Sequence, residues 1–377
     1  MQTNAPILIT GAAGFIGRNL VQWLRQAGFE NLMLFDRTST MEDLTDYAKK
    51  AAFVFHLAGI NRPKDPSEFY SGNADLTHTL LELLKQSTCP PPVLVTSSIQ
   101  AELDNDYGKS KAQAEEAVYA YGQATGQPVY VFRLPGVFGK WCRPNYNSVV
   151  ATFCHNAANG LPLTVRDASY ELDLVYIDDV VRCFLQAMEG QVAQDRSVQP
   201  RCLVHPVHRT SLGHLAQIIE GFMESRQTLQ VPLMAPDSLE KKLYSTWLSY
   251  LPAQAVSYPL TMKTDDRGSF TEFLRTAERG QVSINISRPG ITKGNHWHHS
   301  KNEKFLVVSG KGVIRLRQLD SEEILEYHVS GDQLQVVDIP TGYTHNIENL
   351  GDTDMVTVMW ANESFDPEHP DTFFLPV

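Results

Sequence analysis

The chain has 377 residues, of which 42% are hydrophobic and 20% charged, and its formal net charge at pH 7 is −11. A chain of this length usually forms more than one domain, so two are expected. An acidic chain without a polybasic run is not expected to bind nucleic acid. No apolar segment approaches the length of a membrane span and no secretory signal pattern opens the chain, so a cytoplasmic protein is predicted. Its five scattered cysteines fit reduced thiols.

The first part of the chain alternates short apolar runs with helical patterns up to about residue 245. The runs ILIT, LMLF, FVFHLAG, PVLVTSS and VYVFRLPG are typical of buried parallel strands, and stretches such as NADLTHTLLELLKQ and SKAQAEEAVYAYGQA are helical. This alternation predicts an α/β fold with a doubly wound parallel sheet of Rossmann type.

From about residue 260 the pattern changes to short strands separated by turn residues, as in SINIS, KFLVVSG, GVIRLRQL and MVTVMWA. That pattern predicts an all-β sandwich or barrel. The intervening segment LMAPDSLEKKLYSTWLSYLP is predicted to be helical and to end at Pro252. The predicted domains are therefore residues 1–250 and 251–377.

A glycine-rich loop follows the first strand in ILITGAAGFIGRNL, with Gly11, Gly14 and Gly17 at the start of a helical pattern. Glycines let the backbone approach a pyrophosphate, while the helix amino terminus supplies amide donors and positive potential. A plain glycine turn is the alternative, but a strand before the loop and a helix after it favour a dinucleotide-binding loop.

The second strand ends at Asp36, followed by Arg37. An acid at this place usually binds the adenosine ribose, whereas an arginine can accept a 2′-phosphate. Arg37, together with Arg18, favours NADPH, and Asp36 favours NADH, so the residues leave both open with NADPH preferred.

A second chemical signal lies in YGKSK, where Tyr107 and Lys111 are one helical turn apart. A lysine ammonium beside a phenol would lower the tyrosine pKa and make Tyr107 a proton donor or acceptor for a carbinol–carbonyl pair. Ser97 and Ser98 end the preceding strand, and a hydroxyl there could hold the carbonyl oxygen. Tyr-x-x-x-Lys occurs often by chance, but less often together with the glycine loop and with HLAG, which contains Ala58.

These residues, with RLPGVFG and LVYIDDVV, resemble the extended branch of the short-chain dehydrogenase/reductase superfamily, which acts on nucleotide sugars, over residues 5–245. Asn73 stands where that family often has an asparagine near the cofactor, and an ordinary helix-cap role is equally open. Asp179 is expected to cap a helix. The resemblance implies a catalytic set of Ser98, Tyr107 and Lys111, and a cofactor-binding set of Gly11, Gly14, Gly17, Asp36, Arg37, Ala58 and Lys111.

The stretch GNHWHHSKNEKF and the later PTGYTHNIEN hold a candidate metal site. Alternate residues on a strand face the same way, so His296 and His298 can converge. Glu303 opens the next strand and His345 comes from a distant one. Three imidazoles and one carboxylate suit zinc, manganese, iron or nickel, and zinc is predicted. A surface histidine cluster is the alternative, and His299 is expected to point away.

These spacings resemble both motifs of the cupin superfamily, G-x5-H-x-H-x4-E-x6-G and P-x-G-x2-H-x3-N, which implies a double-stranded β-helix or jelly roll. DDRGSFTEF, KGNHW and PTGYTH also resemble the sugar-nucleotide 3,5-epimerases, where the histidine matching His296 acts as a base and metal is usually absent. Since this chain keeps the full metal set, the role of His296 as ligand or base is open.

An extended reductase followed by a metal cupin resembles the CapF-type capsular and O-antigen enzymes over essentially the whole chain. The resemblance implies a cytoplasmic, homodimeric, bifunctional enzyme. It would epimerise C3 of a UDP-4-keto-6-deoxy amino sugar and reduce C4 with NADPH, giving UDP-2-acetamido-2,6-dideoxy-L-talose. Tyr343 and Lys293 are candidate acid/base or substrate-binding groups, and ordinary rim positions are the alternative.

Two other functions stay open at this stage. One is a nucleotide-sugar 4-ketoreductase whose cupin only binds sugar or mediates dimerisation. The other is a non-enzymatic redox sensor that binds NADPH, against which the intact set of Ser98, Tyr107 and Lys111 argues.

Overall fold

The computed structural model describes residues 1–195 and 197–377, which form two compact units. The first unit comprises Met1–Ile219 and Lys242–Leu251, and the second comprises Glu220–Lys241 and Pro252–Val377. The chain thus leaves the first unit, returns to it and leaves it again. In the described residues, no helix has both the length and the apolar character needed to cross a bilayer.

The first unit is built on a parallel sheet with the strand order β2-β1-β3-β4-β5. Its strands are β1 (Ile7–Thr10), β2 (Leu32–Phe35), β3 (Phe53–His56), β4 (Val93–Ser98) and β5 (Val129–Leu134). The predicted parallel, Rossmann-like sheet is confirmed. Since the strand order reverses at β1, the crevice for ligands lies outside the carboxyl ends of these strands.

The remaining elements of the first unit pack around this sheet. Along α1, Leu20, Val21 and Leu24 lie on one buried face, as an amphipathic helix requires. A second, smaller sheet joins β6 (Gly136–Phe138), β7 (Glu171–Tyr176) and β8 (His208–Ser211). In chain order, the α-helices of the described residues are α1 (Phe15–Gln26), α2 (Met41–Lys50), α3 (Ser67–Phe69), α4 (Leu76–Lys85), α5 (Asp106–Thr125), α6 (Val149–Ala158), α7 (Ile177–Met188), α8 (Leu212–Thr228) and α9 (Leu239–Leu248).

Two helices differ from their predicted extents. The helix expected from residue 233 begins only at Leu239, because Pro236 and the left-handed Asp237, with φ 59°, interrupt the backbone. The helix expected from residue 73 begins at Leu76 and is preceded by a π-helical turn, Tyr70–Asp75. Turns of the π-helix are rare in proteins, and many of those that occur lie at functional sites.

The second unit contains two antiparallel sheets, with the orders β16-β13-β18-β11-β10-β9 and β15-β14-β17-β12-β19. Apolar side chains from both sheets form one core, to which Phe305 and Val337 contribute from the first sheet and Ile314 and Ile347 from the second. The predicted all-β domain is confirmed. Its strands are β9 (Lys263–Asp265), β10 (Gly268–Thr276), β11 (Gly280–Ser287), β12 (Thr292–Trp297), β13 (Glu303–Ser309), β14 (Lys311–Gln318), β15 (Ile324–Ser330), β16 (Val336–Ile339), β17 (Tyr343–Asn349), β18 (Met355–Ala361) and β19 (Phe373–Phe374).

The segment Glu220–Lys241 joins the second unit through backbone pairing with β10. The amide of Arg275 donates to the carbonyl of Leu229 at 2.8 Å, and the amide of Val231 donates to the carbonyl of Arg275 at 3.0 Å. Residues 220–241, which precede the predicted boundary at position 250, are therefore part of the second unit.

Candidate active sites

The glycine loop lies in the crevice at the carboxyl end of β1. Gly11 has φ 69°, and a Cβ atom there would lie 2.7 Å from the amide nitrogen of Ala58. Only glycine allows both this conformation and this approach. Gly14 immediately precedes α1, and Gly17 lies in its first turn. The loops after β1 and β3 are thus held together at the helix amino terminus, the arrangement expected of a pyrophosphate site.

Lys111 reaches the same crevice from α5. Its Nζ atom donates to the carbonyl of Thr96 at 3.2 Å. A Cβ atom on Gly59 would be 2.9 Å from Lys111 Nζ and 2.9 Å from Asn73 Oδ1, so these side chains fill the space above the glycine. Burial lowers the pKa of Lys111 to about 8, although Glu115 opposes the shift.

Tyr107 and Ser98 lie beside Lys111 at the start of α5 and the end of β4. Tyr107 is half-buried, with its ring 5.5 Å from that of Phe69. Burial raises the pKa of Tyr107, and a hydrogen bond with Ser98 opposes the rise. The prediction that Lys111 lowers this pKa is wrong for this structure, since burial outweighs the other influences on the phenol. The phenol is therefore protonated and suited to donating a proton.

Asn73 and Asp179 have roles other than helix capping. The buried Asn73 accepts a hydrogen bond from the amide of Ile60 at 2.9 Å and donates to the Ile60 carbonyl and to Ser110, each at 3.0 Å. It thereby ties the loop after β3 to α5. Asp179 lies within α7, whose cap position is Tyr176, and pairs with Lys242 at 2.8 Å. The expectation that Asp179 caps a helix is wrong.

Asp36 follows β2, next to the exposed Arg37. Its carboxylate accepts hydrogen bonds from the amide of Thr38 at 2.9 Å and from the Thr38 hydroxyl at 2.8 Å, and these bonds lower the Asp36 pKa. One carboxylate oxygen is thus engaged in the turn, while the Arg37 guanidinium is accessible to an anionic ligand.

The four predicted metal ligands converge in the second unit. The Oε2 atom of Glu303 lies 3.5 Å from Nε2 of His298 and 3.3 Å from Nε2 of His345. The ring of His296 is centred 5.1 Å from that of His298 and 4.5 Å from that of His345. A backbone irregularity between Gly294 and His296 breaks the regular register of β12 just before these ligands.

The cluster fits a metal ion. One potential ligand atom from each of the four residues lies within 4.8 Å of the other three. Zinc–nitrogen bonds of about 2.0–2.1 Å place neighbouring tetrahedral ligand atoms about 3.3–3.4 Å apart. The facing atoms of His298, His345 and Glu303 are buried and, in the described residues, find no partner outside the cluster. Buried polar atoms are normally satisfied, so this donor set suits a cation.

The titration of the cluster follows from burial and from neighbouring charge. Burial and the nearby His345 lower the pKa of His296 to about 4. Burial disfavours the charged form of His298, but Glu303 and the carbonyl of Asp371 outweigh it and raise that pKa. Burial alone would raise the pKa of Glu303, but the imidazoles of His298 and His345 outweigh burial and lower it, so the carboxylate stays ionised.

The cluster faces a cavity of about 530 Å³ in the second unit. Lys293 lines this cavity, donating to Asn285 Oδ1 at 2.9 Å and to the carbonyl of Ile286 at 2.8 Å, and burial lowers its pKa. Tyr343 instead packs against the apolar core. His299 is exposed and makes edge-to-face contacts with Phe373 and Trp297, away from the cluster, as predicted. Apolar lining comes from Phe270, Phe305, Ile347 and Met359.

Some contacts that shape these sites cannot be read from the motifs. Thr96 and Gly59 position Lys111, but one acts through a backbone carbonyl and the other through the absence of a side chain. Asp371 contacts His298 from 73 residues away along the chain. Spacing along the sequence gives no signal for such contacts.

Comparison with known proteins gives family matches for both units. A model of the NAD dependent epimerase/dehydratase family matches residues 7–198, and one of the Polysaccharide biosynthesis C-terminal domain matches residues 263–373. The chain is 46% identical over 367 residues to UDP-2-acetamido-2,6-beta-L-arabino-hexul-4-ose reductase of Pseudomonas aeruginosa, with 97% of each chain covered.

Solved structures are similar to the whole chain or to part of it. The capsular polysaccharide assembling protein CapF from Staphylococcus aureus has a TM-score of 0.91 and 51% identity, covering 99% of this chain and 100% of that one. The Bordetella bronchiseptica enzyme WbmF, solved with NAD+, has a TM-score of 0.53 at 19% identity over 65% of this chain and 92% of its own, and it shows the fold alone. The chain thus belongs to the NAD dependent epimerase/dehydratase family, with a Polysaccharide biosynthesis C-terminal domain in its second unit.

Proposed function

We propose that the chain is a bifunctional nucleotide-sugar enzyme of polysaccharide biosynthesis. Its second unit, which we assign to the cupin fold, epimerises C3 of a UDP-2-acetamido-2,6-dideoxy-4-keto-hexose. Its first unit then reduces C4 with NADPH to give UDP-2-acetamido-2,6-dideoxy-L-talose. The names of the Pseudomonas aeruginosa and Staphylococcus aureus relatives support a UDP-keto-sugar reductase in capsule formation. The predicted homodimer and cytoplasmic location stay predictions.

One observation carries the reductase half: Ser98, Tyr107 and Lys111 meet beside the glycine loop. The Tyr107 phenol is protonated and donates a proton to the C4 oxygen as the ketone becomes an alcohol. Ser98 hydrogen-bonds the phenol and Lys111 supplies positive charge in a buried crevice. NADPH, when bound, supplies the hydride.

The second half depends on the acidity of C3. A proton on C3 is removable only next to a ketone, because the carbanion then delocalises as an enolate. Epimerisation must therefore precede reduction, which removes the ketone and draws an unfavourable epimerisation forward. Lys293 lines the cavity, and burial lowers its pKa. Lys293 is therefore the group that we propose to transfer the C3 proton.

The cluster would hold one divalent ion, most simply zinc, through His296, His298, Glu303 and His345. Such an ion supplies Lewis acidity toward a carbonyl oxygen. His296 is neutral near pH 7, so its ring nitrogen is able either to hold the ion or to accept a proton.

The competing function is a 4-ketoreductase whose second unit only binds sugar. Incubation of the keto sugar in D2O without NADPH separates the two, since exchange at C3 needs only a base and the ketone. We expect deuterium at C3 by NMR with the intact protein. Tyr107→Phe should keep this exchange and lose NADPH oxidation by about 10²–10⁴-fold. Tyr47→Phe, on α2, is the matched control. Absence of exchange in a folded, metal-loaded protein would leave only the reductase.

A further inference from the structure

The carboxyl-terminal segment of the chain touches a predicted metal ligand directly. The backbone carbonyl oxygen of Asp371 lies 2.6 Å from Nδ1 of His298. A carbonyl only accepts hydrogen bonds, so Nδ1 carries the proton and the lone pair of His298 is on Nε2. That Nε2 atom is the one that faces Glu303, at 3.5 Å. The contact therefore selects the tautomer and ring orientation that a metal requires.

The side chain of Asp371 fixes the loop that follows His298. Its carboxylate accepts the backbone N–H groups of His299, Ser300 and Lys301 at 3.0, 2.9 and 2.9 Å, and the Ser300 hydroxyl at 3.0 Å. Asp371 does so with φ 38°, in the left-handed region that non-glycine residues rarely adopt. Residues in such conformations persist only where surrounding contacts hold them, and they concentrate at functional sites.

Neighbouring residues hold the same segment in place. Lys301 Nζ donates to the carbonyl of Pro370 at 2.7 Å. In the short strand β19, Phe373 and Phe374 pair with Trp297 and His296 of β12. The chain on both sides of Asp371 is thus bound to the strand and loop that carry two of the four predicted ligands.

The other ligands are held differently. His296 is held by the local carbonyl of Gly294. Nδ1 of His345 is buried without a hydrogen-bond partner in the described part of the chain. Among the ligands in the described residues, His298 is the one whose ring nitrogen is hydrogen-bonded by a segment remote in sequence, whereas His296 meets that segment through backbone pairing. Partners that hydrogen-bond to metal-ligating histidines typically contribute 10–100-fold to metal affinity.

We propose that Asp371 is a positioning residue for the metal centre. Its carbonyl holds His298 with Nε2 toward the cluster, and its carboxylate keeps that carbonyl in place by binding the loop of residues 299–301. The inference rests on the proposed metal site. It adds Asp371 to that site and proposes that the carboxyl-terminal segment 370–374 holds the ligands in position for the metal.

The test measures metal affinity in the full-length protein by competition with a chromophoric zinc chelator. Asp371→Ala removes the carboxylate and should weaken zinc binding by about 10–100-fold. Asp366→Ala is the matched control, since Asp366 is an exposed carboxylate shortly before segment 370–374, and its partners are Glu368 and His369. It should leave the affinity unchanged. An affinity of Asp371→Ala equal to that of the wild type overturns the proposal.

Thermal unfolding with and without zinc separates positioning from a merely structural role. An ion that binds only the folded state raises Tm according to its affinity, so weaker binding should shrink the zinc-induced rise in Asp371→Ala. If Asp371→Ala lowers Tm equally with and without zinc, so that the zinc-induced rise is the same as in the wild type, the proposal is overturned. If Asp371→Ala does not fold, Asp371→Asn, which keeps an acceptor oxygen and tolerates left-handed φ, is measured instead and should bind zinc less tightly than wild type. Wild-type protein that binds no zinc overturns the metal site itself.

Discussion

The ammonium group of Lys111 occupies the space in which any residue other than glycine at position 59 would place its Cβ atom, 2.9 Å away. The same Cβ atom would meet Asn73 Oδ1 at 2.9 Å, and Asn73 is held by the backbone of Ile60. The lysine therefore has to give way if a side chain appears at position 59.

Gly59→Ala should displace Lys111 and lower NADPH oxidation by about 100-fold, since a displacement of about 1 Å can cost this much in a positioned site. The measurement is kcat/KM with the keto sugar, alongside C3 exchange, which should not change. Gly221→Ala is the control, because a Cβ atom there meets nothing within 4 Å. Equal rates for Gly59→Ala and wild type would show that the position of Lys111 does not matter.

The charge of Lys111 predicts a pH dependence. Its pKa is lowered to about 8 by burial, so the folded protein loses this positive charge as pH rises through 8. The kcat/KM for NADPH, which reports groups of the free enzyme, should fall above that pH. Lys111→Arg keeps its charge at all accessible pH values, so its kcat/KM should not fall above pH 8, even if its highest kcat/KM is below that of the wild type. A wild-type profile that stays level from pH 7 to pH 9.5 contradicts the prediction.

The metal site predicts a matched pair of histidine variants. His345→Ala should lower bound zinc, because His345 Nε2 lies 3.3 Å from Glu303 inside the cluster. His299→Ala should keep the full metal content, because the exposed ring of His299 makes edge-to-face contacts with Trp297 and Phe373 instead. Elemental analysis after gel filtration gives the stoichiometry. A wild-type protein without about one transition-metal ion per chain would rule the site out.

Arg37 predicts the choice of cofactor. Its exposed guanidinium follows Asp36, whose carboxylate is engaged by Thr38. A hydrogen bond to a charged group contributes about 1.5–3 kcal/mol, so Arg37→Ala should weaken NADPH use about tenfold or more and leave NADH use nearly unchanged. Arg25→Ala, an exposed arginine on α1, is the control. Similar kcat/KM for NADPH and NADH in the wild type would argue against NADPH as the preferred cofactor.

The sequence predicts local features better than remote ones. The glycine loop, the pair of Tyr107 and Lys111, and the strands of the second unit are visible because motif and periodicity act over a few residues. The π-helical turn before α4 has no counterpart in the periodicity, and Asn73 within it bonds to the backbone of Ile60, 13 residues away along the chain. The raised pKa of Tyr107 is likewise not predictable from the motif, because burial is set by the whole fold, and burial outweighs the hydrogen bond with Ser98.

The path of the chain between the units leads to the last prediction. A protease site placed in the exposed stretch 256–262 would separate the chain into two pieces after folding. The amino-terminal piece would carry residues 220–241, which belong to the second unit and pair with Arg275 of the other piece through Leu229 and Val231. We therefore expect the cleaved pieces to elute together in gel filtration under native conditions and to keep both reduction and C3 exchange. Leu229 pairs with Arg275 through its carbonyl, so Leu229→Pro leaves that acceptor in place, but proline cannot adopt the φ of 61° found at this position. The substitution should therefore weaken the association, whereas Gln227→Ala, in α8, should not. If the pieces separate cleanly after cleavage of the protein that carries the protease site but keeps Leu229, the pairing at Arg275 does not hold them together. They would also make each piece available for testing its own half of the proposed reaction.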